Sequence, residues 1–358
     1  MSIALPAFFQ KITQRYVGNL LEHDWLDFAV SHVDPLWSLD RLKAQVVSIH
    51  AETPDIRRIV MRPNQHWTGF QPGQFVSVRV PVNGVYCERC YSLTSDPAEG
   101  LIEIAVKKQP GGKVSTWLHE SLQVGDVLDL GAVGGEFVLP QQLDRPALMI
   151  AGGSGITPIY SLTRALLQRT PDHDVLVMYY VNRAEDLAFA NALQQLTAAH
   201  PGLRLVYALA EPGGRFSEAQ LQSVCPDWEN RQAFLCGPQG LMDAVGAVWL
   251  QHGRSEQLLL ERFGAAVQVS DASANGMPVT LRRSQLQLTH TANTLLESAE
   301  AAGARPAYGC RMGMCKQCTC TKVSGVVRDR ITGAIDDNPN TAIRLCITEP
   351  LSPVELDI

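Results

Sequence analysis

With 358 residues the chain exceeds one ordinary domain, so two or three are expected. Its 46% hydrophobic and 18% charged residues suit a folded protein with a sizeable core, and the net charge of −6, with no basic block or aromatic–basic patch, sets nucleic acid aside as a partner. Residues 1–20 carry no secretory signal, and no stretch is apolar for the length of a membrane span, so a cytoplasmic location is expected.

Residues 1–40 place Phe8, Phe9, Ile12, Leu20, Leu21, Trp25, Leu26 and Phe28 among polar residues, the pattern of a helical arm. Such an arm packs on its own protein by default; docking to a membrane surface or a partner is the alternative. Residues 41–143 read as strands. The runs 75–80 and 101–106 are β-rich, partly alternating and bounded by Pro and Gly, which predicts an antiparallel β-barrel or a sandwich. Over 144–264, apolar strands at 147–151, 175–181, 203–209, 232–236 and 256–260 alternate with helical patterns near 158–169, 186–199, 217–224 and 239–252. That order implies a doubly wound, parallel α/β sheet. The small, polar stretch 265–277 reads as a linker. Residues 278–358 open with strand-like runs at 279–283 and 285–290, then a helix near 292–302 with Thr291 or Asn293 placed to cap it.

A cysteine-rich loop follows. Cys310, Cys315 and Cys318 give C-x4-C-x2-C, and Cys346 comes after 27 intervening residues. This is the plant-type ferredoxin spacing, in which four thiolates hold a [2Fe–2S] cluster. Nine cysteines without an export signal agree with reduced thiols and metal ligation. Gly309 and Gly313 let the backbone wrap tightly around sulfur. Structural zinc is the competing reading, but zinc sites usually show two C-x2-C pairs. Cys320 is read as a buried free thiol, because Cys318 already supplies the x2 spacing.

Four further motifs come in a fixed order: Arg89-Cys90-Tyr91-Ser92; Gly111-Gly112-Lys113-Val114-Ser115; Gly152-Gly153-Ser154-Gly155-Ile156-Thr157-Pro158 between a strand and a helix; and Cys236-Gly237-Pro238, with Glu261-Arg262-Phe263 beyond. Residues 41–264 thereby resemble the ferredoxin–NADP reductase superfamily, and residues 278–358 resemble plant-type ferredoxins. The resemblance implies a multidomain chain: a flavin-binding β-barrel, an NAD(P)-binding α/β domain and a β-grasp-like α+β ferredoxin domain. It assigns flavin binding to Arg89, Tyr91, Ser92, Leu93, Val106, Gly111, Gly112, Val114 and Ser115. Arg89 would offer its fork to a flavin phosphate, Tyr91 would lie on the ring, and Ser92 would donate to N5. FAD is expected, since a glycine turn opening a helix suits a pyrophosphate, with FMN as the alternative. Nucleotide binding falls to residues 152–158 and to Gly237 and Pro238. Cys236 would sit beside the nicotinamide, with a buried core cysteine as the bland reading, and Glu261 and Phe263 would line the pocket.

Arg183, just after the second strand of the α/β sheet, and Arg215 suggest a 2′-phosphate, hence NADPH over NADH. The flavin would convert a two-electron hydride into single electrons for the cluster, leaving the hard chemistry to cofactors. The expected acceptor is an oxygenase-type partner, a terminal oxygenase or, as the main reading, a membrane fatty-acyl-CoA desaturase. The stretches 33–39, 62–64 and 67–70 resemble reductases of membrane desaturases, whereas a soluble ring-hydroxylating or phenylacetyl-CoA-type oxygenase is the alternative, and a redox sensor is the reading from another class.

Overall fold

A computed structural model describes residues 33–210, 214–263, 276–291 and 294–358. The expected arm as far as residue 32, and most of the expected linker, lie outside the described residues. None of the described helices is long and apolar enough to cross a membrane.

Strands β1 (Leu42–Ala51), β2 (Ile56–Pro63), β3 (Phe75–Val82), β4 (Val85–Ser92), β5 (Ile102–Lys107) and β6 (Val127–Gly134) form one antiparallel sheet in the order β4-β3-β6-β1-β2-β5. In β3, Val76, Val78 and Val80 are fully buried; on the opposite face Arg79 and Pro81 are exposed while Phe75 and Ser77 are covered, so the strand alternates only in its second half. A bridge between Leu93, just past β4, and Ile104 of β5 links the two edge strands at one end, so that the sheet curls into a barrel. Helix α1 (Lys113–Glu120) packs on it through Val114 and Leu118.

The stretch preceding β1 is clasped to the turn after β2. Asn64 Nδ2 donates to the carbonyls of Arg41 (2.9 Å) and Leu36 (3.3 Å), and Gln65 Nε2 donates to that of Ser38 at 2.8 Å. Part of the desaturase-reductase-like sequence therefore holds the start of the barrel together.

Next, β7 (Ala147–Gly152), α2 (Ile156–Arg169), β8 (Val175–Val181), α3 (Ala190–Ala199), β9 (Leu203–Leu209), α4 (Glu218–Val224), β10 (Gln232–Cys236), α5 (Gln239–Gln251) and β11 (Leu258–Glu261) build a five-stranded parallel sheet, order β11-β10-β7-β8-β9. Every residue of β7 and β8 is buried, as a sheet covered on both faces requires. Leu162 and Leu166 fill one face, and Trp228 and Trp249 the other. The helix expected from 186 starts only at Ala190. A 3-10 turn spans 184–186, and Phe189, at φ 59°, donates its N–H to Glu52 Oε1 at 2.7 Å and stacks on Tyr160. Tertiary contacts thus override the helical pattern there.

The C-terminal part holds a mixed sheet of β12 (Pro278–Leu281), β13 (Leu286–Thr289), β14 (Thr319–Ser324), β17 (Thr341–Arg344) and β19 (Val354–Leu356), in the order β13-β12-β19-β14-β17. A small sheet of β15 (Val327–Asp329), β16 (Ile335–Asp336) and β18 (Thr348–Pro350) lies beside it. Helix α6 (Leu295–Ala301) buries Leu295, Leu296 and Ala299 in the domain core. Its cap is Thr294, not Thr291 or Asn293: the Thr294 hydroxyl accepts from the Glu297 N–H at 3.2 Å, the spacing of a capping box. Lys322 is fully buried, its amine donating to the carbonyls of Gly325, Asp336 and Asn338.

Candidate functional site

Two cavities adjoin. The smaller, about 340 Å3, is walled by Arg89, Cys90, Tyr91 and Ser92 at the end of β4 and by Gly112–Ser115 at the start of α1. The β3–β4 hairpin sets this wall, pairing Tyr91 with Val76 and Ser92 with Phe75. Ser92 Oγ is buried with no hydrogen-bond partner. An unpaired buried hydroxyl costs about 1–3 kcal/mol, so the wall suits a ligand with a polar ring atom, as a flavin has. Burial raises the Tyr91 phenol well above its ordinary pKa and keeps it neutral. Helix α1 begins at Gly112 with no side-chain cap, and Gly111 takes φ +70°. The first-turn N–H groups of α1 therefore suit an anion. Leu93 and Val106 stand behind the cavity in the barrel core.

The larger cavity, about 610 Å3, opens at the C-terminal ends of β7, β8 and β10, where the strand order reverses. That is where parallel α/β sheets bind nucleotides. Gly152, Gly153, Ser154, Gly237 and Pro238 line it. A Cβ at Gly155 would lie 2.2 Å from the Cys236 carbonyl oxygen, and one at Gly152 would lie 2.5 Å from Pro238. Only glycines let the β7–α2 turn approach the end of β10 so closely. Thr157 Oγ1 donates to the Ser154 carbonyl at 3.0 Å and ties the turn, while Gly155, Ile156 and Pro158 are buried at the head of α2.

Cys236 is fully buried and paired in register with Glu261 on β11. Burial lifts the Glu261 carboxyl to about 8, and its Oε2 has no partner. Burial, then the Glu261 charge, raises the Cys236 thiol. Ser154 and Phe263 line both cavities, so a ring in one can meet a ring in the other.

The ribose end differs from expectation. Arg215 lines the larger cavity together with Asn182 and Asp186, but Arg183 is not in its wall. Arg183 is ion-paired with Glu185 at 2.7 Å and with Asp186 at 3.4 Å. These acids, two and three residues beyond Arg183 in the chain, draw it away from the strand-end position that it was expected to serve.

In the C-terminal domain the four expected ligands converge. The backbone N–H of Cys310 donates to Cys315 Sγ at 3.2 Å, and that of Cys315 to Cys310 Sγ at 3.3 Å. Cys318 and Cys346 stand sulfur to sulfur at 3.2 Å, and Gly313 N–H donates to Cys346 Sγ at 3.2 Å. Among the described residues no three side chains close around a single ion. The thiols instead pair two and two, which fits a cluster of two irons each taking two terminal thiolates. Cys320 lies apart on β14, buried, with its thiol raised to about 12 by that burial.

The two halves meet at this loop. Met312 and Met314, between the cysteines, form part of the wall of the smaller cavity. Arg89 Nη1 donates to the Cys310 carbonyl at 3.3 Å, Gln317 Nε2 to Glu88 Oε1 at 3.1 Å, and Lys316 pairs with Glu136 at 2.9 Å. The nearby Cys310 side chain, then burial, raises the Cys90 thiol well above its ordinary range. On the other side, Cys310 is held well below the usual thiol range, first by Cys315 and then by Cys90. Sequence reasoning missed Cys90, Met312 and Met314, because only the tertiary approach of two domains gives them a place.

Three family descriptions match in chain order: an oxidoreductase FAD-binding domain over residues 43–138, an oxidoreductase NAD-binding domain over 149–246, and a 2Fe-2S iron-sulfur cluster binding domain over 279–351. The chain is 34% identical to an NADPH oxidoreductase of Mycobacterium tuberculosis, over 98% of this chain and 92% of that one. It is 29% identical to a component of the 1,2-phenylacetyl-CoA epoxidase of Escherichia coli, over 79% of this chain and 86% of that one. Its fold resembles that of phthalate dioxygenase reductase, described as a modular structure for electron transfer from pyridine nucleotides to [2Fe-2S] (TM-score 0.64, 26% identity, 89% of this chain and 98% of that one). The chain belongs to the ferredoxin–NADP reductase superfamily, as an NAD(P)H-dependent flavoprotein reductase with FAD and a C-terminal [2Fe–2S] ferredoxin domain.

Proposed function

We propose that this reductase draws electrons from NADPH and delivers them, through FAD and the cluster, to the oxygenase component of a soluble multicomponent system. The observation that carries the relay is the shared wall: Met312 and Met314 of the cluster loop line the cavity that suits the flavin. Bound FAD would supply the conversion of a two-electron hydride into single electrons. The protein's part is to hold Ser92 and Tyr91 against the ring, keep an anion site at α1, and bring Cys310, Cys315, Cys318 and Cys346 alongside. Arg215 in the nucleotide cavity supports NADPH. We take 41–143, 144–264 and 278–358 as the three working domains.

For the acceptor, the phenylacetyl-CoA epoxidase component and phthalate dioxygenase reductase are named for oxygenase systems, which favours an oxygenase over a membrane desaturase. The stretches resembling desaturase reductases include the clasp at the start of the barrel, a structural task that leaves them little weight for the acceptor. The test supplies cluster-loaded, flavin-loaded protein and NADPH to a purified soluble acyl-CoA oxygenase and, separately, to desaturase-containing membranes with stearoyl-CoA. Hydroxylated or epoxidised product in the first and no oleoyl product in the second is expected. Oleoyl product alone would overturn the oxygenase reading.

A further inference from the structure

We propose that Tyr179 is a positioning residue for the coenzyme: its buried hydroxyl pins the Gly153–Ser154 peptide with the carbonyl toward the core, leaving the opposed N–H for the diphosphate. The inference rests on reading the larger cavity as the nucleotide site.

Tyr179 lies on β8, in register with Ala151 of β7 and Tyr207 of β9. It is fully buried, and its hydroxyl reaches the turn between β7 and α2. There it donates to the Gly153 carbonyl at 3.1 Å and accepts from the Ala188 N–H at 3.3 Å. The Asp186 carbonyl, at 3.5 Å, is the more distant alternative for its one proton. Burial raises the phenol well above its ordinary pKa, so that proton stays in place. One oxygen thus joins two loops that both line the cavity, through Gly153 on one side and Asp186 on the other.

Gly153 needs such a pin. Its φ of +51° suits glycine, and a residue without Cβ leaves the next peptide plane free to turn over. A trans peptide points its carbonyl and its N–H in opposite directions. The Gly153 carbonyl is held by the Tyr179 hydroxyl and also accepts from the Ile156 N–H, so the Ser154 N–H is directed away from both. Turned over, the same plane would aim a carbonyl oxygen at the phosphates and repel them. Gly153 and Ser154 both line the cavity, so the orientation decides what a diphosphate meets there.

The experiment compares Tyr179→Phe, which deletes only the hydroxyl, with Tyr207→Phe and wild type, all cluster-loaded and flavin-loaded. Tyr207 is the internal control: its hydroxyl is buried with no partner, and its ring lies edge-on to that of Tyr179. Loss of one hydrogen bond changes an equilibrium about five-fold. In Tyr179→Phe, ADP binding by calorimetry and the KM for NADPH with ferricyanide as acceptor should both weaken by about five-fold, with kcat within about twofold of wild type. Tyr207→Phe should leave all three unchanged. ADP affinity equal to wild type in Tyr179→Phe would overturn the proposal, as would equal losses in the two variants or a fall in kcat at constant KM. Hydrogen exchange of wild type with and without ADP covers the case in which Tyr179→Phe fails to fold. Protection of residues 153–156 together with 186–188 is expected, and unchanged exchange in either stretch would overturn the proposal. If wild type binds neither ADP nor NADPH, the reading of the cavity falls and the proposal with it. Bound ADP that ignores the loss of the hydroxyl condemns only the role of Tyr179.

Discussion

The guanidinium of Arg89 donates to the carbonyl oxygen of Cys310 at 3.3 Å, joining the strand that walls the flavin cavity to the loop that holds the cluster. The residue expected to grip a flavin phosphate thus also touches the other redox centre, and its Nη1 additionally donates to the Glu88 carbonyl at 2.7 Å. A hydrogen bond to a charged group contributes about 1.5–3 kcal/mol. Arg89→Ala should therefore weaken flavin retention at least tenfold and slow cluster reduction by NADPH. Lysine, which keeps the charge but not the fork, should recover part of the retention. Flavin dissociation measured by filtration, with stopped-flow reduction of the cluster, checks both. Unchanged flavin retention in the alanine variant would leave Arg89 with a docking role alone.

The docking contacts are unequal. The side chain of Glu136 is 88% exposed and that of its partner Lys316 64%, and such pairs contribute little in water. Glu88 is 7% exposed, accepts from Gln317 at 3.1 Å and pairs with Arg79 at 3.4 Å. Glu136→Gln should leave cluster reduction within about twofold of wild type at moderate salt. Glu88→Ala strands the amide of Gln317 and removes the charge opposite Arg79, and should slow the flavin-to-cluster step about tenfold. Single-turnover traces at two salt concentrations decide this. A slower step in the Glu136 variant that recovers in neither condition would assign the dock to the surface pair instead.

Much of this was legible beforehand, and for identifiable reasons. The buried runs of β7 and β8 and the C-x4-C-x2-C spacing are local patterns, and the glycine turn at 152–155 is legible as a turn even though the contacts that demand glycine there come from the end of β10. The two-residue turn at Asn83-Gly84, both at positive φ, is a hairpin signal of the same kind that went unread. What failed was set by distant neighbours. Phe189 leaves the helical pattern because Glu52 and Tyr160 hold it. Arg183 is a local case instead: it pairs with Glu185, two residues on, and with Asp186. The roles of Met312, Met314 and Cys90 come from one domain lying against another, which spacing along a chain does not encode.

Gly155 and Gly153 allow a clean contrast within one turn. A Cβ at Gly155 would fall 2.2 Å from the Cys236 carbonyl oxygen, a backbone atom that cannot rotate away. At Gly153 there is open space, and only the φ of +51° opposes a side chain. Gly153→Ala should cost about 1–2 kcal/mol of stability. Gly155→Ala should cost more, by forcing β7 and β10 apart, and should raise the KM for NADPH several-fold in whatever fraction folds. Thermal melts and initial rates on the flavin-loaded protein measure both. Equal melting temperatures for the two variants would mean that the turn relaxes freely.

Glu261 supplies a pH dependence with a definite sign. Burial lifts its carboxyl from the ordinary 4.5 to about 8, and its Oε2 is unpartnered. Between those values the folded protein keeps a proton that the unfolded chain has released. The folded state thus binds more protons, and the free energy of unfolding falls as pH rises through that window. At about 1.4 kcal/mol per unit, the loss amounts to a few kcal/mol by pH 8, after which the group contributes no further slope. Glu261→Gln is neutral at every pH, so its melting temperature should decline less between pH 5 and 8.5 and should exceed that of wild type above pH 8. Reduction of the flavin by NADPH gives a second reading. If the Glu261 proton supports the nicotinamide pocket, the wild-type rate should fall near pH 8, while the glutamine variant should be slower and flat across the same range. Parallel melting curves for the two proteins would show that Glu261 is ionised and solvated in solution, and would remove it from the pocket's chemistry.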